Sequence, residues 1–452
     1  MTASARGPRT RALAIFGGTP TLAGDAHRLW PIVTDTERAA VARVLDRGIL
    51  SGPFAPEARA FEEEFAQFVG ARHALLTHCG TSALSVALAA SGVRAGDEVI
   101  VPAYSFVATP LAVLHVGAIP VFADVDVATG CLEPSAAEAA VTPKTRAIMP
   151  VHMHGCAADM KAVLRLAQKR GLVVVEDAAQ AHGAEANGRR VGAVGAAGGF
   201  SLQSSKNLSA GEGGVLVTND PAVAELANSL RNFGQDLKLS DALGFDLRRP
   251  LDGSRALDSR RPGSMFRGNE MMAAFARAQL TALPERTARC QRNAARLARF
   301  LEGLPGIRPP VVPGGRTSVH HKFRVHLDAE AAGLDAPAEV VRDAFARALR
   351  AEGLEVVFWQ AVALPAQTVF QRRDVLDGFP AARDEGTDLR VNYDASRYPH
   401  THALLAGSLV LFSQSCPLIA QSDETVDAYA EAFARVWEQR HAVLDWAVKT
   451  RS

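Results

Sequence analysis

Near the N-terminus, apolar positions recur at helical spacing. Thr34–Arg47 puts Val41, Val44 and Leu45 on one face with charged residues opposite, and Leu50-Ser51-Gly52-Pro53 stops that helix. Ala58–Val69 predicts a second helix, with Phe61, Phe65 and Phe68 at i, i+4 and i+7, a spacing that suits core packing. From His73 onward the pattern changes. Short apolar runs alternate with helical segments: Ala74–Thr77, Glu98–Val101, Pro120–Ala123, Ala147–Val151, Leu172–Glu176, Gly199–Leu202 and Gly214–Val217. Near-continuous apolar runs are what strands covered by helices on both faces need, so the alternation predicts α/β units around a mostly parallel sheet.

Residues 235–261 form a polar, charged stretch of little periodicity, longer than an ordinary connection and readable as a surface insertion. Helical spacing resumes from Asn269 through Leu280 and, after Pro284, from Arg286 to Leu301. Pro305–Pro313 marks a crossing into a C-terminal α+β part, with a strand near His321–Leu327 and helices near Ala338–Gly353 and Asp423–Thr450. The expected organisation is a disordered tail over 1–12, a large domain with N-terminal helices over 13–284, and a small domain over 285–452.

Composition narrows the function classes. The chain has 452 residues, ample for such a core, and a formal net charge of +1, which gives no electrostatic case for nucleic acid or an anionic membrane. Five scattered cysteines without CxxC pairing indicate neither a zinc site nor a disulfide framework, so no metal is expected. Met1–Arg11 lacks an apolar core, and no apolar run is long enough to span a bilayer, so the expected location is the cytoplasm.

Open α/β sheets place ligands beyond the carboxyl ends of their strands. His78–Ser82, Tyr104–Phe106, Asp177 and Ser201 all fall at such ends. Lys206 is one of only seven lysines and lies in a glycine-containing turn between two β-type runs. A lysine held there can have its pKa lowered and act as a nucleophile toward an aldehyde. Asp177 ends the apolar run Val173-Val174-Val175-Glu176, and an acid there could keep a pyridinium nitrogen protonated. His78-Cys79-Gly80-Thr81-Ser82 leads into a helix, with hydroxyls and backbone N–H groups aimed at an anion, although Gly-Thr-Ser is also a common helix cap.

The segments around Lys206 and Asp177, with the Gly211–Gly214 turn, resemble those of the DegT/DnrJ/StrS family of pyridoxal phosphate (PLP)-dependent aminotransferases. The similarity runs from about Phe16 to about Trp437, is strongest between Val69 and Gly234, and thins in the C-terminal third. It implies an aspartate-aminotransferase-like (fold type I) enzyme with a seven-stranded, mostly parallel sheet and a smaller C-terminal α+β domain. It also implies PLP as cofactor, L-glutamate or L-glutamine as amino donor, and a keto-sugar, sugar nucleotide or keto-cyclitol as acceptor, in secondary-metabolite or cell-surface pathways. By the same resemblance Lys206 is the catalytic lysine and Asp177 the partner of the pyridine nitrogen. Gly80, Thr81, Ser82 and Ser201 hold the phosphate, Phe106 stacks on the ring and Gln180 bonds the ring hydroxyl. Read alone, Phe106 could be ordinary core, Ser201 merely a small residue at a strand end, and His182, which also matches, a structural histidine.

Family members usually supply an asparagine to the phosphate of the neighbouring subunit from a Gly-x-Asn-aromatic-Arg pattern, which implies a homodimer with shared sites. Here that stretch reads Gly263-Ser264-Met265-Phe266-Arg267-Gly268-Asn269, and a thioether cannot donate a hydrogen bond. Ser264, Arg267 or Asn269 would have to compensate. Cys79 likewise replaces a usual polar residue. Alternatives are a PLP-dependent sugar dehydratase, in which histidine generally replaces the lysine, and a non-catalytic accessory subunit.

Overall fold

The structure is a computed structural model that describes residues 12–52, 55–235, 258–372 and 393–450. Residues 1–11 of the expected tail over 1–12, Pro53, and residues 236–257 of the polar stretch lie outside the described residues.

Two helices, α1 (Asp35–Arg47) and α2 (Pro56–Val69), precede the sheet. Thr34 caps α1 in a reciprocal arrangement with Glu37, and Pro56 opens α2, where its missing N–H is harmless. The apolar face of α1 differs from the one read in the sequence. Ala40 and Val44 are buried against Ala274 and Ala278, Glu37 bonds Gln279, and Leu45 is 58% exposed. Leu45 lies about 100° around the helix from Val44, which already fills the seam. Phe61 and Phe65 of α2 are fully buried, a gain of about 1.5–3 kcal/mol each, while Phe68 lies at the edge of the core beneath Arg190.

The chain then alternates: β1 (His73–Thr77), α3 (Gly80–Ala90), β2 (Glu98–Pro102), α4 (Ala108–His115), β3 (Ile119–Ala123), α5 (Pro134–Ala139), β4 (Thr145–Ile148), α6 (Met160–Arg170) and β5 (Val173–Asp177). A small hairpin, β6 (Glu185–Ala186) and β7 (Arg189–Arg190), is followed by β8 (Ala197–Ser201), β9 (Gly214–Thr218) and α7 (Pro221–Leu230). The large sheet has seven strands in the order β1-β9-β8-β5-β4-β2-β3. Only β9 runs against its neighbours, pairing antiparallel with β1 and β8, and the remaining pairings are parallel. Each of the seven runs expected from sequence is a strand, because strands buried on both faces cannot carry the polar alternation that would blur them.

Helix α8 (Glu270–Leu301) is continuous through Pro284, where the sequence pattern suggested an interruption. An internal proline costs about 3 kcal/mol. Ala276, Leu280 and Leu283 before it, and Cys290, Ala294 and Leu297 after it, are all buried, so packing on both sides offsets that cost.

The C-terminal part adds β10 (Ile307–Arg308), β11 (Phe323–Leu327), α9 (Ala338–Ala351), β12 (Val356–Val357), α10 (Thr368–Gln371), α11 (Pro399–Gly407), β13 (Ser408–Leu411), α12 (Asp423–Glu438) and α13 (Arg440–Lys449). Its four strands form an antiparallel sheet, β10-β11-β13-β12, of which only β11 was legible in the sequence. Among the described residues no helix is long and apolar enough to cross a membrane.

Candidate active site

Strand β5 presents two acids to opposite faces, as strand alternation requires. Glu176 accepts the N–H groups of Gly192 (2.8 Å), Val194 (2.7 Å) and Gly195 (2.7 Å), and lies 3.1 Å from His152 Nε2. It is therefore committed to holding the chain between the hairpin and β8. Asp177, on the other face, accepts from Thr109 Oγ1 at 2.7 Å and from the N–H of Ala179 at 3.1 Å. Thr109 Oγ1 is in turn 2.8 Å from Ser105 Oγ, so the threonine can donate to the carboxylate while accepting from the serine. Burial raises the Asp177 pKa, and Thr109, the Ala179 N–H and the charge of Lys206 pull it back.

Lys206 sits in the loop between β8 and β9. Its N–H bonds Gln203 O (2.8 Å), its carbonyl accepts from the Trp30 indole (3.0 Å), and the next residue, Asn207, donates to Val319 O (2.8 Å). Burial lowers the ammonium pKa from 10.5 to about 8, and Asp177 opposes that shift. A lysine so placed can deprotonate near neutrality and attack a carbonyl.

Gly80 opens α3 against β8. A Cβ at Gly80 would come within 2.8 Å of Ser201 Cβ, so only glycine lets the helix N-terminus approach the end of the strand this closely. Cys79 is the N-cap, its sulfur accepting from the Ser82 N–H at 3.4 Å.

These groups meet in one cavity of ≈ 280 Å³. Gly80, Thr81, Phe106, Asp177, Gln180, Ser201 and Lys206 all line it. Phe106 is 54% exposed, which rules out the ordinary-core reading and leaves a ring face open. Gln180 uses its Oε1 to accept the His154 N–H (2.9 Å), so its NH₂ is left to donate. Two residues stand apart. Ser82 does not line this cavity. Its hydroxyl bonds Cys79 O (2.9 Å), and it faces a second, larger cavity of ≈ 1030 Å³ bounded by Val86, Leu226, Arg261 and Phe266. That space contains neither Asp177 nor Lys206 and lacks the paired acid and amine. His182 is packed between Phe65 and Phe200, and burial lowers its pKa to about 3, which makes it a neutral core ring.

Sequence reasoning missed Ser105, Thr109, Glu212, His321, Lys322, Trp359 and Gln414, which also line the cavity. Ser105, Thr109 and Glu212 lie in or beside segments already singled out, whereas His321, Lys322, Trp359 and Gln414 come from distant chain. Segment 263–269 contributes nothing to the cavity of its own chain. Met265 is exposed, Asn269 caps α8 by accepting the Met272 N–H (2.9 Å), and Arg267 donates to Asn232 (2.9 Å).

The donor set fits pyridoxal phosphate: an amine near neutrality, a buried carboxylate, an aromatic face, and a glycine cradle at a helix N-terminus beside Ser201. When bound, this cofactor serves as a sink for the electrons of a broken C–H bond. A relative from Streptomyces griseus named L-glutamine:scyllo-inosose aminotransferase is 38% identical over 439 residues, spanning 94% of this chain and 97% of its own. The dTDP-3-amino-3,4,6-trideoxy-alpha-D-glucose transaminase of Streptomyces venezuelae is 41% identical over 309 residues, spanning 66% and 76%. The crystal structure of 3-amino-5-hydroxybenzoic acid (AHBA) synthase superposes with a TM-score of 0.75 at 33% identity, covering 91% of this chain and 98% of that one. The model of the DegT/DnrJ/EryC1/StrS aminotransferase family matches residues 31–385. With the lysine and aspartate of one cavity lying inside that match, the chain belongs to this family and is a PLP-dependent aminotransferase.

Proposed function

We propose that the enzyme moves an amino group from L-glutamine or L-glutamate to the ketone of a keto-cyclitol or keto-sugar in secondary-metabolite biosynthesis. The observation that carries this reading is the shared cavity of Lys206 and Asp177, with the lysine amine held near neutrality by burial. With PLP bound, Lys206 would be the residue that holds it through its side-chain amine, at the position where the donor's amine must arrive. The Lys206 amine, its pKa lowered by burial, would also take the proton from the donor's α-carbon as base and give it back as acid. Asp177, which accepts from Thr109 and the Ala179 N–H, would face the ring nitrogen and hold it protonated. Gly80, Thr81 and Ser201 would hold the phosphate, Phe106 would offer its face to the ring, and Gln180 would donate to the ring hydroxyl. The same residues would serve the acceptor ketone in the second half-reaction.

The remaining assignments belong to the same proposal: a homodimer in which segment 263–269 approaches the partner's cavity, a cytoplasmic location, and a division near residues 284/285. Purified protein loaded with PLP and mixed with L-glutamine or L-glutamate tests the first half. The visible band of the bound cofactor should be replaced by that of pyridoxamine phosphate, and adding scyllo-inosose or another keto-cyclitol should restore it. A band that no amino donor changes would refute the proposal.

A further inference from the structure

Lys322 immediately precedes β11, where its N–H meets His154 O at 3.4 Å. The residue is 3% exposed, lines the Lys206 cavity, and its Nζ has no hydrogen-bond partner. A buried ammonium without a counter-charge is unfavourable and is normally paired. The acids lining the cavity do not supply that pairing. Asp177 is held by Thr109 and Ala179, and Glu212 lies exposed. Close packing fixes the position of Lys322. A Cβ at Gly155 would meet the His321 N at 2.9 Å, and Asn207 ties the segment 319–321 to the Lys206 loop.

We infer that Lys322 receives the α-carboxylate of the amino donor. The inference deepens the function proposed above and rests on it. An α-amino acid carries its carboxylate on the same carbon as the amine that replaces Lys206, so it needs a second cation flanking that lysine. Among the described residues lining the cavity, Lys206 and Lys322 are the only lysines and there is no arginine. His321 is held neutral, chiefly by burial. The anion donors assigned to the cofactor, at Gly80, Thr81 and Ser201, belong to α3 and β8, whereas Lys322 arrives from the C-terminal part with His321 and Trp359. A keto-cyclitol carries no charge that would call for a buried cation. Burial and the charge of Lys206 lower the Lys322 pKa to about 8, and an arriving carboxylate, as an opposite charge beside it, would favour its cationic form.

The test is the donor half-reaction of the holoenzyme, followed in a single turnover with L-glutamine and with 4-aminobutanamide, the same molecule without its α-carboxylate. Lys322→Gln should raise the half-saturation for L-glutamine about 10- to 100-fold, as expected for loss of a charge-assisted bond. Lys322→Arg should recover part of the loss. 4-Aminobutanamide, already poor with the unaltered enzyme, should be indifferent to either change. Calorimetric binding of glutaramate, which has the carboxylate but no amine, should weaken in Lys322→Gln by a similar factor, and PLP affinity by dialysis should hold. Equal losses for both amines, a fall in PLP affinity, an unchanged half-saturation, or an effect confined to amination of scyllo-inosose would each overturn the inference. If the unaltered holoenzyme converts no amino donor at all, the aminotransferase reading itself falls.

Discussion

Replacing Thr109 with valine removes one oxygen and almost no volume, at a point where the bonding is unambiguous. Thr109 Oγ1 lies 2.7 Å from Asp177 Oδ2, both residues are buried, and Ser105 backs the threonine at 2.8 Å. A hydrogen bond to a charged acceptor contributes about 1.5–3 kcal/mol, and each ~1.4 kcal/mol is a factor of about 10. Burial already raises the Asp177 pKa, and Thr109 is the largest influence lowering it. Without that donor the pKa rises further, and less of the carboxylate is ionised to face the ring nitrogen. The donor half-reaction at neutral pH should therefore slow roughly 10- to 100-fold. The acid limb of its pH–rate profile should move to higher pH, so the deficit narrows as pH increases. The linkage has a definite sign as well. An acid whose folded pKa lies above its unfolded value contributes stability below the unfolded pKa and loses it as pH rises through the folded one, so the valine variant of the apoprotein should lose stability over a wider pH range. Stopped-flow spectra across pH measure the kinetics, and Thr109→Ser, which keeps the hydroxyl, should restore most of the rate. A valine variant with an unshifted profile and full rate would show that Asp177 does not act through its charge.

Gly80→Ala places a Cβ 2.8 Å from Ser201 Cβ, so it should destabilise the protein by about 1–3 kcal/mol and weaken PLP binding; unchanged denaturation and dialysis would refute the close-approach argument. Lys206 and Lys322 both have folded pKa values lowered from 10.5 to about 8, so between those limits the unfolded chain binds more protons and apoprotein stability should rise with pH. Denaturation midpoints measured across that window should show the slope, and Lys206→Met with Lys322→Met should flatten it. Met265→Asn should tighten PLP by about 1 kcal/mol or somewhat more if the exposed segment reaches a partner's phosphate. Dialysis with sedimentation decides it: equal affinity would show that Ser264 or Arg267 already serves, and a fully active monomer would remove the shared site.

The large sheet was legible because its strands are local. Each is an apolar run a few residues long, and the acid or glycine at its end is read in the same glance, as with Asp177 after Val173–Glu176. Two kinds of feature escaped. One is long-range pairing: β10, β12 and β13 are short strands whose partners lie far along the chain, and helix α8 survives Pro284 because of packing no window of sequence reveals. The other is the part of the cavity supplied by the C-terminal chain. His321, Lys322, Trp359 and Gln414 reach the Lys206 loop only through contacts such as Asn207 to Val319, between residues 112 apart. Lys322 left one clue, a rare lysine directly before the strand Phe323–Leu327, whose apolar positions alternate with Arg324 and His326. Ser82 shows the opposite case, a hydroxyl whose direction the sequence does not give. It follows Gly80-Thr81 in sequence, but helical rotation turns it from the cavity toward Cys79.

Lys206, among seven lysines, is the amine expected to engage the cofactor. Borohydride treatment of the PLP-loaded enzyme fixes the cofactor to the amine with which it has condensed, and peptide mass mapping then locates it. A single pyridoxyl group is expected on the peptide containing Lys206, lost in Lys206→Ala without loss of fold. Pyridoxyl on Lys322 or on any other lysine, or transamination retained in Lys206→Ala, would contradict it.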